Sequence, residues 1–167
     1  MKTRSFIFHP LVVLIISLVF ASIYATYAAL RFPADTLPGH LSYVLPIIIP
    51  FVAFLFDRAE RFRQYDIIQL VVDVLIIGIA MGRVVANVPF ISGHTLFLTY
   101  CLFSTRTLIP RVTAAIVLLQ VIYLKYFVWH DWTTSTNGIL LGSLAAFVIW
   151  WFRERTEVER LTPRPTI

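Results

Sequence analysis

The sequence predicts an all-α integral membrane protein, a bundle of six transmembrane helices. Composition is the first reason. The 167 residues are 59% hydrophobic and 14% charged, with a mean hydropathy of +0.82, whereas about a quarter of a soluble domain is charged. The second is spacing, since apolar runs recur near the roughly 20 residues that cross a 30 Å hydrocarbon core. The third is the placing of the basic residues in short clusters between those runs, sorted by side. The same composition excludes a disordered chain. Cys101 is the one cysteine, which excludes a disulfide framework within the chain and a CxxC zinc site. The net charge of +5 is read as a membrane-orientation bias and not as a nucleic-acid footprint.

The first span is read over 8–30, bounded by Arg4 and Arg31 with no charged residue between them. Its length favours a retained helix over a cleaved signal. The second, 41–56, contains Pro46 and Pro50, each of which removes a backbone donor and crowds the preceding turn. The third, 67–82, carries Asp73. The fourth, 95–109, holds Arg106 near its end and is the weakest; read as a half-helix, it would leave five spans. The fifth, 112–129, has Lys125 near its end, and the sixth is 138–152, followed by a basic cytoplasmic tail, 153–167. Sixteen residues rise only about 24 Å, but flanking arginines reach out to the headgroups. No repeat or long linker divides the chain, so a single membrane domain is expected.

Orientation follows from charge. With the N-terminus in the cytoplasm, six spans return the C-terminus there too. The inner segments then hold Lys2, Arg4, Arg58, Arg61, Arg63, Arg106, Arg111, Arg153, Arg155, Arg160 and Arg164, against Arg31, Arg83 and Lys125 outside. The outer loops, 31–40, 83–94 and 129–137, collect His40, His94 and His130, while His9 falls inside. A plasma or inner membrane is expected, with any chemistry at its non-cytoplasmic face.

Two segments there could carry chemistry. In Pro89-Phe90-Ile91-Ser92-Gly93-His94-Thr95, Ser92 is suited to cap a helix and Gly93 to let a ligand approach the backbone. The N–H groups of a helix start attract phosphate, beside which His94 could donate a proton. The alternative is a capped helix with a polar entry loop. In Lys125 to Gly142, His130 lies at the outer end of the fifth span with Lys125 deeper. Here the alternative is an interfacial belt of Tyr126, Trp129 and Trp132, with Lys125 snorkelling.

Taken together, Ser92-Gly93-His94, His130 and Gly138-Ile139-Leu140-Leu141-Gly142 resemble the type 2 phosphatidic acid phosphatase superfamily, six-helix membrane enzymes of lipid phosphates and diphosphates. Ser92 to Thr99 is also similar to the sphingomyelin synthase branch, which transfers a phospho-headgroup between lipids. The likeness covers roughly 83–142. It implies a membrane lipid phosphatase with His130 as the nucleophile that takes the phosphoryl group and His94 as the acid for the leaving group. It also implies that Ser92, Gly93 and Arg83 bind phosphate, with Lys125 assisting, and it requires no metal or other cofactor. Neutral imidazole is a competent nucleophile near pH 7, and charge neutralisation carries most of phosphoryl transfer.

The sequence departs from that pattern at its clamp. The family's orienting aspartate, four residues after the nucleophile, is Thr134 here, which leaves Asp131 or Thr134 as possible orienting groups. The clamp arginine falls at Leu124, one place from Lys125, and a further lysine at Ile76; Val84 stands where the family has proline. Lysine is a poor substitute for a bidentate arginine. Three alternatives therefore stand: a lipid headgroup transferase, a non-catalytic lipid-binding or complex subunit of the same fold, and a metal-binding or transport protein using His40, His94, His130 and Asp131. Asp73, buried in a span, is expected to have a role or a partner, for which Gln120 or a neighbouring hydroxyl is a candidate.

Overall fold

The computed structural model describes residues 37–60, 67–86 and 90–161, with six isolated positions between 19 and 31. Over the continuously described residues the chain forms five α-helices: α1 (Leu37–Glu60), α2 (Ile67–Ala86), α3 (Gly93–Ser104), α4 (Leu108–Tyr123) and α5 (Trp132–Leu161). A π-helical turn, Leu124–Val128, extends α4. Among the described residues there is no strand. The predicted span 8–30 and His9 lie almost wholly outside them.

Each predicted span in the described region meets a helix, with different ends. α1 runs through Pro46 and Pro50 without a break. The predicted fourth span stops early: α3 ends at Ser104, and the three residues 105–107 turn the chain into α4. The residues expected to form the last outer loop, 132–137, are the opening turns of α5, and its far end carries 153–161 of the predicted tail as helix. Apolar patterning marked the hydrophobic stretches, while the backbone stays helical beyond them through Arg153-Glu154-Arg155.

α3 is the centre of the bundle. Leu96, Leu98, Tyr100 and Cys101 are completely buried in it, and Thr95 and Thr99 are buried as well. Its neighbours alternate in direction. Phe54 meets Tyr100 and Arg58 meets Ser104, so α1 runs parallel to α3. Gly93 abuts Ala80 and Tyr100 bonds Asp73, so α2 is antiparallel. α4, joined by the short turn and touching back from Pro110 to Cys101, is antiparallel. Gly138 faces Thr95 and Gly142 faces Leu96 and Tyr100, so α5 is parallel. The last two glycines allow a close crossing: a Cβ on Gly142 would stand 2.6 Å from the Leu96 carbonyl. Small residues four apart are a common means of bringing two apolar helices together.

Around this centre the outer faces are apolar. Val71, Val74 and Leu75 on α2, Leu119 and Phe127 on α4 and its extension, and Leu140, Leu144 and Phe147 on α5 are all exposed. Two stretches, Leu108–Val128 and Trp132–Arg155, are long and apolar enough to cross a membrane, and a shorter one is Ile67–Met81. Only 44% and 28% of the two long stretches are buried. The core helix of a soluble protein hides its apolar side chains; these helices turn theirs outward, as lipid-facing helices do.

One end of the bundle is fastened by charge. Arg58, 7% exposed, sends Nη2 to Asp73 Oδ1 at 3.2 Å and to Ser104 Oγ at 2.9 Å, and Nη1 to Asp57 Oδ2 at 3.3 Å. Its Nε lies 3.0 Å from Asp73 Oδ2. Tyr100 donates to Asp73 at 2.5 Å, and Thr107 donates its N–H and hydroxyl to Asp57 Oδ1. Arg153 adds bonds to the Ser104 carbonyl and Gln69 Oε1. This corrects two expectations. Asp73 is partnered by Arg58 and Tyr100, while the Gln120 amide, buried on α4, has no hydrogen-bond partner. Arg58, counted with the solvated inner charges, is an internal cation. Hydropathy reads a residue's charge but not the direction its side chain takes, and Asp57 and Asp73 draw this one inward.

Candidate functional site

The opposite end has a different shape, which follows from the helix registers. At the charged end α3 finishes level with α1, α2 and α4, since Ser104 meets Arg58 and lies beside the start of α4. At the other end Gly93 is level with Ala80, and α2 continues six residues further, about 9 Å. In the α1 register Gly93 is level with Ile47, so α1 rises ten residues beyond it, about 15 Å. The extension of α4 to Val128 likewise passes beyond the start of α3. The starts of α3 and α5 thus form a floor between taller walls. α3, about 18 Å long, is too short to span a bilayer core by itself.

The floor is tied together. Ser92 N–H donates to the Thr134 carbonyl at 2.8 Å, and Thr95 Oγ1 lies 3.1 Å from the Ser92 carbonyl and 3.2 Å from that of Ser135. Asn137 Nδ2 donates to the Phe90 carbonyl at 2.9 Å. These bonds bring the two sequence segments, Ser92-Gly93-His94 and Lys125 to Thr134, to one end. Ser92 is the N-cap residue of α3, but its side chain makes no cap bond; Ser92 Oγ and Ser135 Oγ are buried without a hydrogen-bond partner. His94 is half-buried in the first turn of α3. Gly93 is buried and close to the α2 backbone at Ala80, so the close approach its missing side chain allows here is between helices. Arg83 lies on the part of α2 that rises beyond that contact.

The second segment is shaped by the π turn. It lets Trp129 N–H reach the Leu124 carbonyl and Asp131 N–H reach that of Lys125 at 2.7 Å. The chain reverses through His130 at φ 51°, in the left-handed region that costs a residue with a Cβ. The reversal puts Lys125 Nζ 2.6 Å from Asp131 Oδ2, with Thr134 Oγ1 donating to the same oxygen at 2.6 Å. Partial burial alone would raise the Asp131 pKa, but the Lys125 and Thr134 hydrogen bonds prevail and hold the carboxyl below its ordinary range.

The two possible orienting residues are therefore joined to each other and to Lys125, while His130 is exposed. The lysine expected to assist phosphate is already paired with a carboxylate. Sequence reading did not foresee that pair, although Lys125 and Asp131 are six apart; only the π turn and the reversal at His130 bring them together. Among the described residues no group of three or more His, Cys, Asp or Glu side chains is placed to hold a metal ion.

The fold and site define an all-helical bundle with outward apolar faces, two helices of membrane-spanning length and composition, and a recessed polar end. No protein-family model matches the chain, and neither a curated protein nor a solved structure shows significant similarity to it.

Proposed function

We propose that this chain is a multi-pass membrane protein whose recessed end takes a lipid phosphate or diphosphate, and that it is a membrane lipid phosphatase. The alternating helix directions and outward apolar faces support a multi-pass arrangement. In this reading the six spans come from the apolar runs of the sequence, and the cytoplasmic termini and non-cytoplasmic position of the recess from the charge asymmetry. The observation that carries the functional reading is the Ser92 N–H to Thr134 carbonyl bond. It brings the start of α3 to the segment that carries His130, in a recess floored by buried serines.

In this reading His130 attacks the phosphorus through a ring nitrogen. The bond from phosphorus to the leaving oxygen breaks, and His94 gives that oxygen a proton. Water then attacks the phosphohistidine, releasing phosphate and restoring the imidazole. The first-turn N–H groups of α3, the Ser92 hydroxyl and Arg83 hold the phosphoryl oxygens. The Lys125–Asp131 pair specifically favours a second reading, a lipid-phosphate-binding protein without turnover, because it leaves His130 without the carboxylate that would orient it. Phosphate release by purified protein from phosphatidate, phosphatidylglycerol phosphate and a polyprenyl diphosphate tests both. Release that His94→Ala and His130→Ala each abolish is expected of the enzyme. Binding of these lipids without release establishes the second reading, and release that survives both substitutions refutes the site.

A further inference from the structure

Gln120 on α4 is 8% exposed, and neither its amide oxygen nor its amide nitrogen has a hydrogen-bond partner. It belongs to the buried side of the helix, with Val117, Val121 and Leu124. Register places it at the recess. From the contact of Cys101 with Pro110, eight residues back along α3 reach Gly93 and eight forward along α4 reach Leu118. Gln120 is two residues further, so its Cα stands about 3 Å beyond the level of Gly93, at the height of Ser92. Helical side chains lean toward the N-terminus of their own helix, which brings the amide back level with the first turn of α3. Ser92 Oγ and Ser135 Oγ, also buried and unpartnered, lie at that level, and Thr95 ties the backbone of both serines there. Thr99 Oγ1, another buried orphan, is set apart: it is about 9 Å further along α3, on the residue that meets Gly142 of α5.

The bonding capacity of these groups defines a complementary ligand. Each serine hydroxyl is satisfied by donating to a phosphoryl oxygen. The amide is different, because Nε2 only donates and Oε1 only accepts. A phosphate monoester above its second pKa near 6 offers acceptors alone, so it would serve Nε2 and leave Oε1 without a donor. An ammonium group donates and does not accept, with the opposite result. An alcohol hydroxyl does both. It is also small and uncharged, so its burial beside Val117, Val121 and Leu124 avoids the cost of desolvating a charge.

We infer that Gln120 sets the specificity of the recess: its amide receives an alcohol hydroxyl carried near the phosphate of the lipid, accepting through Oε1 and donating through Nε2. The inference rests on the lipid-phosphate reading and adds to it the class of lipid, a phosphate monoester with a neighbouring hydroxyl. The amide is closed to solvent in this state, so the ligand reaches it by a change of its rotamer. The hydroxyl can belong to the headgroup, as in phosphatidylglycerol phosphate, or to the glycerol backbone, as in lysophosphatidate; phosphatidate has neither.

The test loads the full chain in detergent with a fluorescent phosphatidate and displaces it on ice with each of these three lipids, unlabelled. Gln120→Met keeps the length of the side chain and removes both polar atoms, and Gln120→Leu is the second variant. Neither leaves a buried polar atom without a partner, so both should fold. The quantity read is each lipid's loss of affinity on substitution divided by that of phosphatidate, which cancels differences in micelle partitioning. For a hydroxyl-bearing lipid it should be roughly three- to tenfold, the range of one neutral hydrogen bond. A loss confined to phosphatidylglycerol phosphate assigns the headgroup hydroxyl, and one confined to lysophosphatidate assigns the backbone hydroxyl. Equal losses for all three lipids, or none, overturn the inference and leave the lipid-phosphate reading standing. Failure of the fluorescent phosphatidate to bind, with no binding of the other lipids, overturns both.

Discussion

Replacing Asp73 by leucine leaves Arg58 as a buried cation short of its main partner. Asp73 accepts from Arg58 Nη2 and Tyr100 and stands 3.0 Å from Arg58 Nε. Removing one member of a buried ion pair costs about 3–5 kcal/mol. Arg58 keeps Asp57 at 3.3 Å and Ser104 at 2.9 Å, which argues for the lower end, about 3 kcal/mol. At roughly 2–4 °C per kcal/mol for a chain of this size, the unfolding midpoint should fall by about 6–12 °C. The paired variant Arg58→Met with Asp73→Leu removes both charges, and apolar replacement of a buried pair is often nearly neutral. Asp57 keeps two donors from Thr107, so the double variant should recover at least half of the loss. Tryptophan fluorescence during thermal unfolding in detergent measures all three proteins. A double variant no more stable than Asp73→Leu would refute the argument that an orphaned cation, and not lost packing, is the cost.

The glycines give a contrast that the same assay reads. Gly142→Leu should be severely destabilising or prevent folding, because α5 would be pushed off α3 at Leu96 and Tyr100; Gly78→Ala, which meets nothing within 4 Å, should be neutral or stabilising by up to about 1 kcal/mol. The Lys125–Asp131 pair gives a pH dependence. Asp131 has its pKa depressed in the folded protein, so its contribution is fully present above the unfolded value near 3.8 and is lost as pH falls through the folded value. The wild-type protein should lose more stability than Asp131→Asn between pH 5 and 2, to be measured as parallel unfolding midpoints; equal losses would deny the pair that role.

The described helices were legible as apolar runs because periodicity and length survive in sequence. Their ends were less so. Trp132-Thr133-Thr134-Ser135-Thr136-Asn137 has the composition of a loop, yet it is helix because Thr134 and Ser135 dock on the start of α3. The candidate residues were legible as types, and their shared end followed from counting spans. What was hidden were the pairings made by tertiary contact. Asp73 finds Arg58 fifteen positions away on another helix, and Gly138 and Gly142, first read with a family motif, sit at a helix crossing. A helix-packing role and a motif role require the same glycines, so sequence by itself does not separate them.

The two ends of α3 explain each other. On the multi-pass reading proposed above, a helix of about 18 Å in a 30 Å core would leave non-helical backbone at membrane depth, which is tolerated only where protein or water satisfies it. At Ser104 the bundle satisfies it with protein: Arg58 and Arg153 take the hydroxyl and carbonyl, and Asp57 receives the N–H of Thr107. At Ser92 the bundle satisfies only part. The N–H and carbonyl are bonded to Thr134, Thr95 and Leu96, but the hydroxyls of Ser92 and Ser135 are left over. Buried polar atoms are costly when they lack partners, and two of the unpartnered buried hydroxyls, Ser92 and Ser135, meet at the recessed end, while a third, Thr99, lies midway along α3. In the function proposed above, a lipid phosphate would supply acceptor oxygens to the Ser92 and Ser135 hydroxyls at that end.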